Sequence, residues 1–411
     1  MAFDKITQEK FDRMNLDENN VKNYSLPQMP ELSNACEWHN KYRKSYLNKF
    51  KDYMYGKMAP RPDIMEFETI GIKTNALDGI ATRKLIKLNF KMSNGKDYSV
   101  DMLLYIPNNK ITPAPVFIGL NFASNAACTF EKDIPISRVP SLKTETVYYD
   151  VFTAGEEDRG CKAERWPLKK IIERGYAVAT CYCNELFLDL PDGYLQSIYK
   201  LFYSDDQLKG CKHKFGAIGA WAWGLSRMVD YLESDKDIDS SKIAAVGHSR
   251  LGKTALWAGA NDQRIGIVIS NGSGCCGAKL SKRNFGENFE WIIHWREYWF
   301  TENFHQYVNK EDEFPLDQHQ LISICAPRPV YVASGSEDFY ADPKGEFIAL
   351  REASAIYQLY GSNGLAAPEM PPLDVSIQND LGYHVHTGPH NITIDDWKHF
   401  LDFADKHFVS I

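Results

Sequence analysis

A serine on a tight turn is the feature of this sequence best suited to chemistry. Ser249 lies within the run Gly-His-Ser-Arg-Leu-Gly at residues 247–252. The apolar residues 243–246 predict a short buried strand before the run, and the pattern over residues 253–260 predicts a helix after it. The two glycines would let the turn and the helix pack closely on the strand, because they carry no side chain. This placement would present the Ser249 hydroxyl above a sheet edge, where it can act as a nucleophile.

This pattern is that of the nucleophile elbow in α/β-hydrolases, although its spacing is G-x-S-x-x-G rather than G-x-S-x-G. A strand–turn–helix whose serine only caps the helix fits the same pattern and stays an alternative. A nucleophilic serine needs a base within hydrogen-bond reach and an acid that orients the base. In this fold the acid and then the histidine follow the serine along the chain. We therefore consider acids and histidines that come just after predicted strands.

One predicted strand, residues 329–334, is followed directly by acidic residues. Asp338 or Glu337 can reach the face above the sheet from this position, and the sequence leaves both open. A solvated loop carboxylate is the alternative for either residue. Asp342 and Glu346 lie further into the loop and are less favourably placed.

Three histidines lie in or just after the last predicted strand: His384, His386 and His390. His384 and His386 are two residues apart in a strand, so both should point to the same face. His390 follows the run Thr-Gly-Pro, where the chain has left the strand and turns toward the last helix. We therefore predict His390 as the base. His248, beside the serine, should point away from it and pack against the core.

Alternating strand and helix patterns surround these residues and predict an α/β-hydrolase fold. The expected architecture is a three-layer αβα sandwich with a mixed, mostly parallel central sheet. We expect an N-terminal arm over residues 1–30 that is loosely packed, and a single catalytic domain over residues 31–411. Insertions at about 124–165, 184–215 and 274–327 would lie over the sheet edge that carries the elbow. Further predicted elements are helices over 38–55, 166–174, 217–232, 347–359 and 394–408, a hairpin of strands 83–90 and 98–105, and strands over 115–121, 176–181, 265–269 and 383–385.

The composition is that of a soluble globular protein, with 44% hydrophobic and 25% charged residues. The net charge of −7 argues against nucleic acid or an anionic membrane as a partner. No apolar run approaches the roughly 18 residues that span a membrane. The first residues lack the apolar core of a signal peptide, which predicts either an intracellular protein or one whose signal has been removed.

The nine cysteines do not predict a disulfide framework or a metal site. Their number is odd, and Cys275 and Cys276 are adjacent. No CxxC pair or cluster of histidine and cysteine has the spacing of a zinc site. Cys181 and Cys183 fall in a predicted buried strand and should belong to the core. We predict no metal and no cofactor.

Several motifs together resemble the glucuronoyl esterases, carbohydrate esterase family 15. Residues 247–253 match the family pattern G-[CH]-S-R-x-G-K, and residues 216–227, 271–283 and 383–390 resemble flanking family segments. The resemblance covers roughly residues 26–408. It implies hydrolysis of the ester between 4-O-methyl-glucuronic acid of glucuronoxylan and lignin alcohols, by a secreted or periplasmic protein. Separately, we expect a monomer. An acetyl-xylan or other small-acyl esterase with the same triad is the first rival, and a non-catalytic carbohydrate-binding protein is the second.

The resemblance also implies roles for individual residues. They are the nucleophile Ser249, the base His390, the oxyanion-stabilising Arg250 and the sugar-binding Lys253, Glu287, Tyr340 and Trp299. Many members carry the acid as a glutamate where this chain has Ser-Asn-Gly at residues 270–272, so the resemblance assigns the acid to Asp338. Three alternatives stay open. Arg250 could hold a carboxylate such as Asp338, Lys253 could be an exposed helix lysine, and Glu287 could pair with Arg283.

Overall fold

A mixed ten-stranded sheet forms the centre of the fold, seen in a computed structural model that describes residues 5–142, 151–210 and 216–408. The strands are β1 Ile64–Ala76, β2 Ala81–Lys91, β3 Asp97–Pro107, β4 Ala114–Asn121, β5 Ser141–Leu142, β6 Val151–Phe152, β7 Ala177–Tyr182, β8 Ile238–His248, β9 Ile267–Asn271, β10 Val330–Gly335, β11 Ile377–Gln378 and β12 Leu381–His386. Their order across the sheet is β1-β2-β3-β7-β4-β8-β9-β10-β12-β11, while β5 and β6 form a separate pair. Parts of the predicted insertions, residues 143–150 and 211–215, lie outside the described residues.

The sheet divides into an antiparallel half and a parallel half. Strands β1, β2 and β3 are antiparallel, and β2 alternates buried and half-buried residues because one face is solvated. From β7 to β12 the neighbouring strands run parallel, and β4 and β7 are buried almost throughout. Helices therefore cover both faces of this half. The predicted mixed, mostly parallel sheet is confirmed.

The described helices either cover the faces of the parallel half or lie outside those layers. They are α1 Lys5–Asp12, α2 Ala35–Glu37, α3 Arg43–Phe50, α4 Leu168–Glu173, α5 Asp205–Lys209, α6 Ala217–Leu232, α7 Arg250–Asn261, α8 Phe289–Arg296, α9 Glu302–His305, α10 Gln318–Cys325, α11 Pro343–Gln358 and α12 Ile394–Phe408. Helices α6, α7 and α11 contact the sheet from one side, and α4 and α12 contact it from the other. Alternate residues of β4 serve the two layers. Val116 and Ile118 join the core under α6, whereas Phe117 packs against Trp397 of α12 at 5.4 Å between ring centroids.

The first described part of the N-terminal arm is packed against the domain rather than loose. Residues 5–12 form helix α1, and Thr7 and Met14 are buried. The ring of Phe11 lies 5.8 Å from the rings of Trp291 and Tyr340, measured between centroids. Thr7, Phe11 and Met14 form a stripe at helical spacing. This stripe is short and lies within a polar segment, which explains why the sequence pattern did not predict it.

The composition predicted neither a disulfide framework nor a membrane-spanning segment. Eight cysteines are free, and the ninth, Cys211, lies outside the described residues. Cys181 and Cys183 are buried in the core, as predicted. In the described part of the chain, no helix is both long and apolar enough to cross a membrane.

Candidate active site

The turn between β8 and α7 has the strained geometry of a nucleophile elbow. Ser249 has φ 56° and ψ −128°, a conformation that costs energy for a residue with a side chain. A Cβ atom at Gly247 would lie 2.0 Å from the carbonyl oxygen of Leu251, so only glycine fits there. The Ser249 side chain makes no capping hydrogen bond to α7. This excludes the alternative in which the serine only caps the helix.

Asp338 and His390 form a close pair at the ends of neighbouring strands. Nδ1 of His390 lies 2.5 Å from Oδ2 of Asp338. The Asp338 side chain is 2% exposed, whereas the His390 ring is 41% exposed. Glu337 is exposed and only its backbone N–H takes part in this region, donating to the Gly388 carbonyl. The structure therefore brings Asp338, and not Glu337, to the histidine.

Ser249, Asp338 and His390 line one open cavity of about 680 Å³. Among the described residues, neither the Ser249 hydroxyl nor Nε2 of His390 has a hydrogen-bond partner, so both can meet a substrate. Other predicted site residues line the same cavity: Lys253, Glu287, Trp299 and Tyr340. The cavity thus combines a nucleophile, an imidazole held by a carboxylate, and charged and aromatic side chains.

His248 is buried, as predicted, and its ring contacts the base His390, which the sequence did not predict. Its ring lies 4.5 Å from the ring of His390, and its Nδ1 is 2.5 Å from Oδ1 of Asn271. Burial, reinforced by the charges of His390 and Arg165, holds the pKa of His248 well below its usual value. A neutral His248 ring can contact the His390 ring without adding a second positive charge to the site.

Arg250 is held by a carboxylate, but not by Asp338. Its Nε lies 2.9 Å from Oδ2 of the buried Asp189, and Phe122 covers the guanidinium at 4.5 Å from the ring centroid. Oδ1 of Asp189 accepts hydrogen bonds from Tyr298 and from the indole N–H of Trp299. The pair lies at the edge of the cavity, since Trp299 lines it and Arg250 does not. Asp189 falls in the insertion at 184–215, where no motif marked it.

Lys253 and Glu287 lie on the cavity floor rather than in the alternative positions considered for them. Lys253 is buried, donates to the Ser273 carbonyl at 2.5 Å and lies 5.8 Å from the Trp299 ring centroid. Burial raises the pKa of Glu287, while the nearby charge of Lys253 acts in the opposite direction. Arg283 pairs with Asp342 at 3.0 Å, and not with Glu287. Lys253 and Glu287 are therefore available to bind polar groups of a ligand.

Comparison with known proteins identifies the family. A family model described as glucuronyl esterase, fungi, matches residues 197–361. Carbohydrate esterase MZ0003, from an unknown prokaryotic organism, is 41% identical over 403 residues, which are 96% of this chain and 92% of that protein. This chain belongs to carbohydrate esterase family 15. Its members are carboxylic ester hydrolases, so the predicted family and enzyme class are confirmed.

Two solved bacterial structures show the same fold over nearly the whole family 15 chain. One, a promiscuous CE15 esterase from the marine bacterial metagenome, is 38% identical, has a TM-score of 0.86 and covers 96% of this chain and 100% of its own. The glucuronoyl esterase from Solibacter usitatus is 36% identical, has a TM-score of 0.88 and covers 95% of this chain and 100% of its own. The predicted α/β-hydrolase fold is confirmed.

Residue 272, in the segment 270–272 that lacks a carboxylate in this glucuronoyl esterase family member, lies close to the His390 ring. Gly272 has φ 51°, and a Cβ atom there would lie 3.2 Å from the His390 ring. Any side chain at residue 272 would need this positive φ and a small shift of the His390 ring. The carboxylate that contacts His390 comes instead from the end of β10.

Two further acids near the site have structural contacts. Glu346 on α11 accepts hydrogen bonds from the backbone N–H of Gly274 and the hydroxyls of Ser273 and Ser334. Burial raises its pKa to about 8. Asp342 caps the same helix through the Gly345 N–H. Glu346 thus supports the loop after β9, and neither acid contacts the proposed base.

Proposed function

We propose that this enzyme hydrolyses the ester between 4-O-methyl-glucuronic acid of glucuronoxylan and lignin alcohols. The observation that carries the proposal is the pairing of His390 with Asp338 on the cavity that also exposes Ser249. A carbohydrate of this kind would bind through its hydroxyls to Lys253 and Glu287. The aromatic rings of Trp299 and Tyr340 would contact its apolar edges.

The reaction follows from the donors and acceptors in the cavity. Nε2 of His390 takes the proton of Ser249 as its hydroxyl attacks the uronate carbonyl, while Asp338 holds the Nδ1–H tautomer. The carbonyl oxygen becomes negative, and we assign its stabilisation to the backbone N–H of Arg250, directly after Ser249, and to the Arg250 guanidinium at the edge of the cavity. His390 then returns the proton to the leaving alcohol. Water, activated by the same histidine, releases the uronic acid from the acyl-enzyme.

The test is the release of alcohol from benzyl glucuronate, compared with the corresponding amide and with benzyl acetate. We expect turnover of the glucuronate ester, little of the amide and a lower kcat/KM for the acetate. Ser249→Ala should abolish turnover without loss of binding to glucuronoxylan fragments. If Ser249→Ala kept its activity, the non-catalytic carbohydrate-binding role or another nucleophile would replace this proposal.

A small-acyl esterase activity is the second candidate function. One solved relative is described as promiscuous, and the cavity here is large enough for several acyl groups. The ratio of kcat/KM for benzyl glucuronate to that for p-nitrophenyl acetate separates the two candidates. A ratio below one would make the small acyl group the preferred substrate.

We also propose that the enzyme acts as a monomer outside the cytoplasm. All the groups assigned above belong to one chain. Glucuronoxylan is a polymer of plant cell walls and would have to be met outside the cell. Light scattering of the purified protein and fractionation of the producing cells test the two statements.

A further inference from the structure

A second cluster of imidazoles and a carboxylate lies behind the loop that carries His390. Oδ1 of Asp396, on α12, lies 2.6 Å from Nε2 of His384 and 2.9 Å from Nδ1 of His386. All three side chains are buried. Nδ1 of His384 lies 2.9 Å from the hydroxyl of Tyr331. The proposed reaction uses none of these groups.

His386 faces an acceptor at each ring nitrogen. Nδ1 meets the Asp396 carboxylate, and Nε2 lies 3.1 Å from the carbonyl oxygen of Pro389. A carboxylate and a carbonyl can only accept, so both hydrogen bonds form only when both ring nitrogens carry a proton. His384 differs, because the Tyr331 hydroxyl can donate to one of its nitrogens. The geometry therefore favours the imidazolium form of His386.

Hydrogen bonds link Asp396 to the chain on both sides of His390. On one side it acts through His386 on the carbonyl of Pro389, the residue directly before the base. On the other side its Oδ2 accepts the backbone N–H of Thr393 at 2.6 Å and the Thr393 hydroxyl at 2.9 Å. The short loop that presents His390 is thus tied at both ends to one buried carboxylate.

We propose that His386, as a cation held by Asp396, is a positioning residue for the base His390. The inference rests on the proposed function of His390. Loss of the proton from Nε2 would replace the hydrogen bond to Pro389 with a contact between two acceptors, and the loop would shift. The distance from His390 to Ser249 would then change, which lowers turnover more than substrate binding.

The charges around His386 support this protonation state. Burial, the largest single effect, lowers the pKa of His386, but the hydrogen bond and charge of Asp396 and the Pro389 carbonyl raise it on balance. Asp374, which holds Thr387 through its backbone N–H and hydroxyl, adds a second negative charge nearby. His384 is the other titratable group at the same carboxylate.

The test uses His386→Gln, with His399→Gln as the matched control. His399 lies on α12 with its ring 4.5 Å from that of His384, and none of the described hydrogen bonds or ring contacts joins it to the His390 loop. We expect His386→Gln to lower kcat about tenfold and to change KM less than twofold, because only the alignment of the base is lost. The kcat of the wild type should also decline at alkaline pH as His386 loses its proton, and this decline should be absent in the variant. His399→Gln should match the wild type in both respects.

Ring-nitrogen NMR of protein labelled with ¹⁵N-histidine reads the protonation state directly. The signals missing from the His386→Gln spectrum should have the shifts of an imidazolium at pH 7. If His386→Gln does not fold, Thr393→Val removes one donor to Asp396 and should lower kcat about twofold to threefold at constant KM. A neutral His386 at pH 7, or an unchanged kcat in the foldable variant, would overturn the inference.

Three further outcomes separate a positioning role of His386 from a metal site and from a failure of the proposed base. A stoichiometric divalent metal that is lost in His386→Gln would overturn the inference, because metal binding requires a neutral imidazole nitrogen. If His390→Ala kept its activity, the proposed function would fail. If His390 were essential but His386→Gln left kcat and its pH profile unchanged, only the inference would fail.

Discussion

Two carboxylates, Asp338 and Asp396, each contact imidazole rings in this molecule, and the rings differ in exposure. Asp338 holds a His390 ring that is 41% exposed, whereas Asp396 holds the His384 and His386 rings, which are at most 4% exposed. The distances are similar, at 2.5 Å for the first contact and 2.6 and 2.9 Å for the others. What differs is the group that the second ring nitrogen meets.

That difference decides which imidazole can move a proton. Nε2 of His390 opens on the cavity with Ser249, whereas Nε2 of His386 is used by the Pro389 carbonyl. A buried imidazole between two acceptors has no route for proton exchange with a substrate and can only hold structure. The exposed one can accept and return a proton. Neither the residue types nor the carboxylate contact distinguishes the two roles.

Substitution of the exposed histidine, His390, should have the largest effect on kcat. His390→Ala should lower kcat by at least about 10³-fold to 10⁴-fold, because the serine loses its base. The melting temperature should change little, since the ring is half-exposed. Turnover of benzyl glucuronate and thermal unfolding measure the two effects. His39→Ala, at another exposed histidine, is the control, and activity in His390→Ala within tenfold of wild type would contradict the assignment.

Substitution of Asp338, the carboxylate beside the His390 ring, should have the next largest effect on kcat. Asp338→Asn keeps the shape of the side chain but can no longer hold the Nδ1–H tautomer, and should lower kcat on the order of 10²-fold to 10⁴-fold. Glu337→Gln, one residue away and exposed, should stay within twofold. Steady-state kinetics on the glucuronate ester compares them. A loss of activity in Glu337→Gln instead of Asp338→Asn would reverse the choice between the two acids.

The sequence predicted the exposed pair but left its acid open, and the reasons are physical. Strand ends of a parallel sheet meet at one edge, so the chain order of Ser249, the acid and His390 was enough to bring them together. The choice between Asp338 and Glu337 depends on a single turn after β10, which sequence periodicity does not describe. Only the folded chain shows that the Asp338 side chain is buried against the ring.

Tertiary contacts explain what sequence patterns missed. Asp189 meets Arg250 across a loop with no periodic pattern, and α1 is held by contacts with the distant α8. By contrast, α6 and α12 have the predicted bounds because their apolar stripes are long and regular. The pattern predicts an element where its own residues form the core, and not where a distant residue decides the contact.

A third carboxylate, Asp189, holds the guanidinium of Arg250. Its removal should have a smaller effect on kcat. Arg250→Ala should lower kcat about 10²-fold if its guanidinium stabilises the oxyanion. Asp189→Asn keeps an acceptor for Tyr298 and Trp299 but loses the charge that holds Arg250, and should lower kcat about tenfold. The double variant should be no slower than Arg250→Ala, because both changes act through one guanidinium. If the double variant lost kcat by the product of the two single losses, Asp189 would act independently of Arg250.

The buried pair should have its largest effect on stability rather than on chemistry. Asp396→Asn leaves two imidazoles and Thr393 with a weaker acceptor and should lower the free energy of unfolding by about 3 kcal/mol. Asp338→Asn should cost less, because its partner ring is half-exposed. Urea unfolding of both variants beside the wild type measures the difference. An equal loss of unfolding free energy in Asp396→Asn and Asp338→Asn would mean that burial does not determine how much each carboxylate contributes to stability.

The pH dependence of that stability has a definite sign. Although burial opposes it, the two histidines hold the folded-state pKa of Asp396 below its usual value, so its contribution is present above about pH 4 and is lost as pH falls through the folded pKa. The pKa of His386 is raised on balance, so its contribution is present below about pH 6.5 and is lost as pH rises through the folded pKa. The gap in unfolding free energy between wild type and Asp396→Asn should therefore be widest between about pH 4 and 6.5 and should narrow toward alkaline pH. A gap that stayed constant from about pH 6.5 to alkaline pH would show that His386 is neutral in the folded protein.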